Sequence, residues 1–274
     1  MVRVYQYSNS TWYKIGQDID GEYAGDESGT SVSLNAAGDI VAIGAKHNDG
    51  NGNSSGHTRV YQYSNSNGIW TKIGEDIDGE APDDLSGHSV SINAAGDIVA
   101  IGSKYNSDAG VDSGHTRVYQ NIDGTWTKIG QDIDGEDVDD NSGYSVSLNA
   151  AGDIVAIGAA HNDGNGDNSG HTRVYQNISG TWTKIGQDID GESEGDNSGY
   201  SVSLNTAGDI VAIGANLNDG NGSNSGHVRV LGFDYTTNET VLRANSELNN
   251  THLLTQSLET RLGLKPDLTS GNTV

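Results

Sequence analysis

The feature that most constrains this chain is a cadence. Trp12, Trp70, Trp126 and Trp182 are separated by 58, 56 and 56 residues, and Asp-Ile-Val-Ala-Ile-Gly starts at Asp39, Asp97, Asp153 and Asp209 with the same intervals. Each unit reads as four short strands. In residues 143–188 an alternating stretch, Ser145–Asn149, is followed by the apolar run 153–158. The β-branched and aromatic segment His171–Gln176 comes next, and then the Trp-bearing segment Thr181–Asp188. Gly, Asn and Asp fill the gaps, the chemistry of tight turns. Four strands per long unit is the signature of propeller blades, and no segment before residue 236 has the 3.6 period of a helical solenoid. The expected fold is all-β: a β-propeller of four blades of about 56 residues over 1–232, followed by a C-terminal α-helix and tail over 233–274.

Composition supports many short strands with polar turns. Apolar residues make up 33% of the 274 residues and Gly occurs 39 times, but Pro only twice, which argues against a disordered chain. The net charge of −24 excludes nucleic acid as a partner, because phosphate binding needs clustered Lys and Arg. No apolar run reaches the roughly 20 residues that span a bilayer. The start, Met1-Val-Arg-Val-Tyr, is strand-like rather than a signal peptide, so display outside the cell implies another export route, a removed leader, or virion assembly. There are no cysteines, hence no disulfides and no thiolate metal sites.

The module resembles the FG-GAP repeat of integrin-α-like propellers. The FG position is occupied by Ser28-Gly29, Ser86-Gly87, Ser142-Gly143 and Ser198-Gly199. The GAP position is occupied by Gly44-Ala45-Lys46, Gly102-Ser103-Lys104, Gly158-Ala159-Ala160 and Gly214-Ala215-Asn216. The Trp-x-x-Ile-Gly-x-Asp-Ile-Asp-Gly-Glu segments also resemble those of marine bacterial and viral surface proteins. The resemblance implies a non-enzymatic adhesion or attachment module on a cell or virion surface, with a glycan or protein receptor. The alternative is a structural subunit of a filament, fibre or virion, assembled by strand exchange. The family's calcium loop has no counterpart here: the link is only Asn35-Ala-Ala-Gly-Asp39 and its equivalents, with too few oxygens.

Acidic loops provide another candidate calcium site. Carboxylates fall at positions 1, 3, 5 and 9 in four sets: Asp18, Asp20, Glu22, Asp26; Asp76, Asp78, Glu80, Asp84; Asp132, Asp134, Glu136, Asp140; and Asp188, Asp190, Glu192, Asp196. That spacing can wrap Ca²⁺, or the acids can pair with Lys and Arg at a strand end. The loop Asp49-Gly-Asn51-Gly-Asn53 and its counterparts offer the same choice between cation and turn. Arg3, Arg59, Arg117, Arg173 and Arg229 recur with the repeat, as do Lys14, Lys72, Lys128 and Lys184, and are expected to be structural ion-pair partners of these acids. His57, His115, His171 and His227 precede the later Arg strands, either as strand-start hydrogen bonders or as a metal set. The four Trp residues are expected to pack between blades.

In the tail, Thr236-x-x-Glu239 forms a capping box, Gly263 a stop, and Pro266 lies beyond, so one helix is expected between them. Val241, Leu248, Leu258 and Leu262 fall on its a/d positions, which suggests homo-oligomerisation or an assembly partner. Five Arg strands for four blades leave one surplus: either the N-terminal strands complete the fourth blade, or residues 227–231 do. No catalytic constellation stands out, because every candidate base or nucleophile recurs in each unit. A hydrolytic reading requires a unique cleft that interrupts the symmetry, so the sequence-based expectation is that the protein is not an enzyme.

Overall fold

The computed structural model describes residues 1–234 and 239–242. They form a four-bladed β-propeller of antiparallel sheets, preceded by a separate pair of strands, β1 (Val2–Ser8) and β2 (Thr11–Ile19). The first blade is β3 (Ser31–Leu34), β4 (Ile40–Ala45), β5 (His57–Ser64) and β6 (Ile69–Lys72), with β7 (Ile77–Asp78) pairing back on β5. The second repeats this as β8 (Ser89–Ile92), β9 (Ile98–Ser103), β10 (His115–Ile122), β11 (Thr125–Lys128) and β12 (Ile133–Asp134). The third is β13 (Ser142–Leu148), β14 (Ile154–Ala159), β15 (His171–Ile178) and β16 (Thr181–Asp190). The fourth is β17 (Ser198–Leu204), β18 (Ile210–Ala215), β19 (His227–Asp234) and β20 (Glu239–Leu242).

Blades stack through their apolar faces. Val146, Leu148, Val155 and Ile157 of one blade close over Ala100, Val118 and Ile133 of the blade before, and the same set recurs at the next boundary. The first strands of successive blades adjoin. Ser31, Ser89 and Ser145 hydroxyls donate to the Gly87, Gly143 and Gly199 carbonyls at 2.7–2.8 Å. The drifted FG and GAP glycines explain this closeness: a Cβ on Gly102 would collide with the Gly143 carbonyl oxygen, and Gly143 itself sits at φ 83°. The Asn35 hairpin is also spent on structure. Asn35 Oδ1 accepts the Asp39 and Ile40 amides, and the tips bond in series, Ala36 to Ala94, Ala94 to Ala150 and Ala150 to Thr206.

Two expectations change. The strand surplus is resolved without exchange, because β1 and β2 form the outer half of a preceding blade while β19 and β20 complete the fourth. Val32 and Leu34 are 53% and 48% exposed, whereas their counterparts Val90 and Ile92, which pack against the first blade, are buried. Of the expected helix start only Glu239 is described, and it opens a strand rather than a helix. Glu239–Leu242 is a strand paired with β19, Val241 lying opposite Gly232. Two alternating residues added to an open sheet edge bond more backbone than an isolated helical turn would. Leu248, Leu258 and Leu262 lie outside the described residues. No helix among the described residues is long and apolar enough to cross a membrane.

Candidate functional site

The recurring charges form an ionic belt across blade boundaries. Arg59 reaches Glu22 at 3.2 Å and the Asp20 carbonyl at 2.9 Å. Arg117 contacts Glu80 of the preceding blade and Asp132 of its own at 2.9 Å, and Arg173 does the same with Glu136 and Asp188 at 2.9 Å. Arg3 pairs with Asp18 at 3.0 Å, and Arg229 donates to the Asp190 carbonyl and to Ser198. Lys14, Lys128 and Lys184 close on the same aspartates at 2.6 Å, and Lys72 on Asp76. The guanidinium and ammonium groups hold the Asp132 and Asp188 carboxyls down to about 2 against the effect of burial.

The carboxylates of each expected calcium set therefore point to different partners. The first member lies in the ionic belt. The last is buried: Asp26 accepts from the Tyr23 amide and Asn48, Asp84 from the Ala81 amide and Asn106, Asp140 from Asn162, and Asp196 from Asn218. Asp134 lies on β12, and Glu192 near His227 at 3.7 Å. The Asp49 loop is likewise committed, Asp49 accepting the Ser54 amide and Asn51 donating to the Gly79 and Glu80 carbonyls. What the fold does gather is a Glu–His–Asp trio at three boundaries: Glu22, His57, Asp76; Glu80, His115, Asp132; and Glu136, His171, Asp188. In each, three ligand atoms lie within 4.8 Å of one another and could hold a metal ion. Burial lowers the pKa of all three histidines, His115 to about 4, so the imidazoles are neutral.

The Trp residues reveal where the symmetry breaks. Trp70, Trp126 and Trp182 each donate their indole N–H to a carbonyl of the preceding unit, Ile15, Ile73 and Ile129, at 3.0, 2.9 and 2.8 Å. Trp12, for which no such bond to another unit is found among the described residues, is 65% exposed. At two boundaries a glutamine completes the seal. Gln17 donates to the Trp70 carbonyl at 2.7 Å and accepts its amide at 2.8 Å, and Gln131 does the same for Trp182 at 2.7 and 3.1 Å. At the boundary between the first two blades this residue is Glu75. A carboxylate has no N–H to give the Trp126 carbonyl, and Glu75 makes no such clamp. Trp70 and Trp182 are 3% exposed, but Trp126 is only half-buried.

The result is a cleft of about 300 Å³ lined by Glu75, Asp76, Ile77, Asp78, Tyr119, Gly124, Thr125 and Trp126. Lys72 neutralises Asp76. Burial raises the pKa of the Asp78 carboxyl, and Asp76 beside it adds to the rise. His57 stands behind both, its Nδ1 3.8 Å from Asp76 and 4.0 Å from Asp78. Two aromatic walls and two uncompensated carboxylates suit a neutral, ring-shaped polyol: the rings stack on its face and the acids accept from its hydroxyls. Sequence reasoning passed over this site, although Glu75 among Gln17, Gln131 and Gln187 was its visible mark.

No family model matches the chain, and neither does any curated protein. Solved structures do. A crystal structure from Bacteroides fragilis, provisionally described as a 6-phosphogluconolactonase, aligns with TM-score 0.51 at 14% identity, over 77% of this chain and 52% of that one. The periplasmic gluconolactonase PpgL of Pseudomonas aeruginosa aligns with TM-score 0.45 at 11% identity, over 88% and 77%. The chain thus spans about half the length of the B. fragilis protein, and this likeness shows a shared propeller fold. The FG-GAP resemblance is not shown by any family model. The expectation of a non-enzymatic adhesion module is overturned: a propeller of this fold carries an enzyme's name, and the blades here are not equivalent, so repetition does not argue against catalysis.

Proposed function

We propose that the protein is a hydrolase that opens neutral sugar lactones in the Glu75 cleft. The observation that carries this reading is the replacement of the sealing glutamine by Glu75, which opens an aromatic-walled cavity beside Asp76 and Asp78. The lactonase names attached to propellers of this kind support it as analogy. Asp78 is the general base; its raised pKa makes it the stronger proton acceptor. It takes a proton from water, and the water oxygen attacks the lactone carbonyl. The ring C–O bond breaks, its electron pair stays on the ring oxygen, and the proton on Asp78 passes to that oxygen. The Thr125 hydroxyl is the lining donor available to the carbonyl oxygen. The hydroxy acid so formed loses its carboxyl proton to solvent, and the surrounding acids repel the resulting carboxylate, so product release is electrostatically favoured. For the same reason a phosphorylated lactone is a poorer substrate than a neutral one.

Calcium does not fit the Glu–His–Asp trios. Each offers three ligands, one an imidazole, where Ca²⁺ takes six to eight oxygens, and the Arg117 and Arg173 guanidiniums already sit on the acids of two of them. No step of the hydrolysis is routed through a cation. The test is proton release from glucono-1,5-lactone in a pH-stat, with wild type and Asp78→Asn. Hydrolysis above the spontaneous rate, lost in Asp78→Asn, supports the reading; wild-type protein that never exceeds the spontaneous rate defeats it.

A further inference from the structure

A second set of residues breaks the repeat, at the end of the inner strands where β8 and β13 begin and β9 ends. The residue after each Ser-Gly is Thr30, His88, Tyr144 or Tyr200. The residue two after each Gly of the second strand is Lys46, Lys104, Ala160 or Asn216, and the next is His47, Tyr105, His161 or Leu217. No two blades carry the same set of three residues at these positions. Because the inner strands adjoin, these positions meet across blade boundaries. His88 packs edge-on to Tyr144 with ring centroids 5.1 Å apart, Tyr144 lies 4.9 Å from Tyr200, and His161 lies 6.1 Å from Tyr144.

Lys104 is the unusual member. The strand-locked lysines, Lys14, Lys72, Lys128 and Lys184, each pair with an aspartate, and Lys46 pairs with Glu27 at 3.1 Å. Among the described ion pairs Lys104 has no carboxylate partner. Its ammonium rests over the rings of Tyr105 at 4.5 Å and Tyr144 at 5.0 Å. In a protein of net charge −24, a half-buried cation that faces aromatic rings instead of acids is a local reversal of sign. His88 Nδ1 is buried without a hydrogen-bond partner. Burial, together with Lys104 and Lys46, lowers its pKa to about 4, so at neutral pH the ring is uncharged and one nitrogen N–H is free to donate. Burial and the Tyr200 hydroxyl raise the pKa of the Tyr144 phenol, which keeps it a protonated donor.

We propose that this cluster binds a small monocarboxylate, with Lys104 as counter-ion and His88, Tyr144 and Tyr200 as neutral donors. One unpartnered ammonium matches one negative charge. A phosphate dianion would leave a charge uncompensated in an acidic protein. The site is separate from the Glu75 cleft, on the inner rather than the outer strands, and does not depend on the hydrolytic reading.

The test uses the whole chain and sodium acetate or sodium benzoate as probes, with inorganic phosphate as comparator, followed by histidine and tyrosine ring resonances in NMR. Saturable shifts at His88, Tyr144 and Tyr200, with Kd raised about tenfold in Lys104→Gln and unchanged in Lys14→Gln, support the proposal. Tyr200→Phe, which removes one hydroxyl and keeps the ring, is the second variant should Lys104→Gln fail to fold, and it too is expected to weaken binding. Shifts that never saturate, binding indifferent to both variants, or phosphate bound more tightly than either carboxylate would overturn it.

Discussion

Replacing Glu75 with Gln would repair the seal that the other boundaries possess. The geometry to be restored is that of Gln17 and Gln131: one hydrogen bond to the Trp carbonyl at 2.7 Å and one from the Trp amide at 2.8–3.1 Å. At about 1 kcal/mol net for each bond, Glu75→Gln gains about 2 kcal/mol. Removing a carboxylate beside Asp76 and Asp78 acts in the same direction. For a domain of this size, 1 kcal/mol corresponds to about 2–4 °C, so Tm rises by about 4–8 °C in differential scanning calorimetry. Trp126 becomes as buried as Trp70, and its fluorescence shifts to the blue. Lactone hydrolysis falls, because the cleft closes; stability and activity exchange at one residue. The reciprocal change, Gln131→Glu, lowers Tm by a similar amount and exposes Trp182. A Glu75→Gln protein with unchanged or lower Tm would refute the clamp argument, whatever its activity.

Acid should weaken the fold in a defined window. The folded-state pKa of His115 is lowered to about 4, so between that value and 6.5 the unfolded chain binds more protons and stability falls as pH falls. The full shift corresponds to about 3 kcal/mol. Asp132 and Asp188, held at about 2, extend the loss below pH 3.8, while the raised carboxyls of Asp84 and Asp140 act in the opposite sense. A Tm that is flat from pH 7 to 4 would contradict the buried neutral imidazole. Gly102→Ala should separate the second and third blades and cost about 3 kcal/mol or more, since its Cβ would meet the Gly143 backbone. Gly214→Ala, the same position in the last blade, meets only the Ser201 hydroxyl group and should cost far less in parallel chemical melts. Arg117→Met leaves Glu80 and Asp132 facing each other across the boundary and should lower stability by about 1–3 kcal/mol, the half-exposed acids moderating the loss, as urea titration would show.

The repeat determined the blades. Alternation in Ser145–Leu148, the apolar run Ile154–Ala159 and the Gly-rich turns specify strands and their order from local chemistry, because side-chain period and turn conformation are local properties. Arg3, Arg117 and Arg173 and the repeated Lys do meet the repeated Asp, since scarce cations in an acidic chain have few other partners, whereas Arg59 reaches Glu22 and Arg229 donates to the Asp190 carbonyl and Ser198 instead of a carboxylate. Tertiary structure alone decided what depends on neighbours in space. Residues 236–239 carry a helix cap in their letters, but Glu239–Leu242 pairs with the open edge of β19, and an edge recruits strand. Four near-identical acidic loops read alike in sequence. Only stacking shows that Gln17 and Gln131 reach across to a tryptophan on the next blade, and that Glu75, at the same position, leaves that tryptophan unsealed. A one-atom change of nitrogen to oxygen becomes a cleft because the backbone groups it should satisfy belong to another sheet.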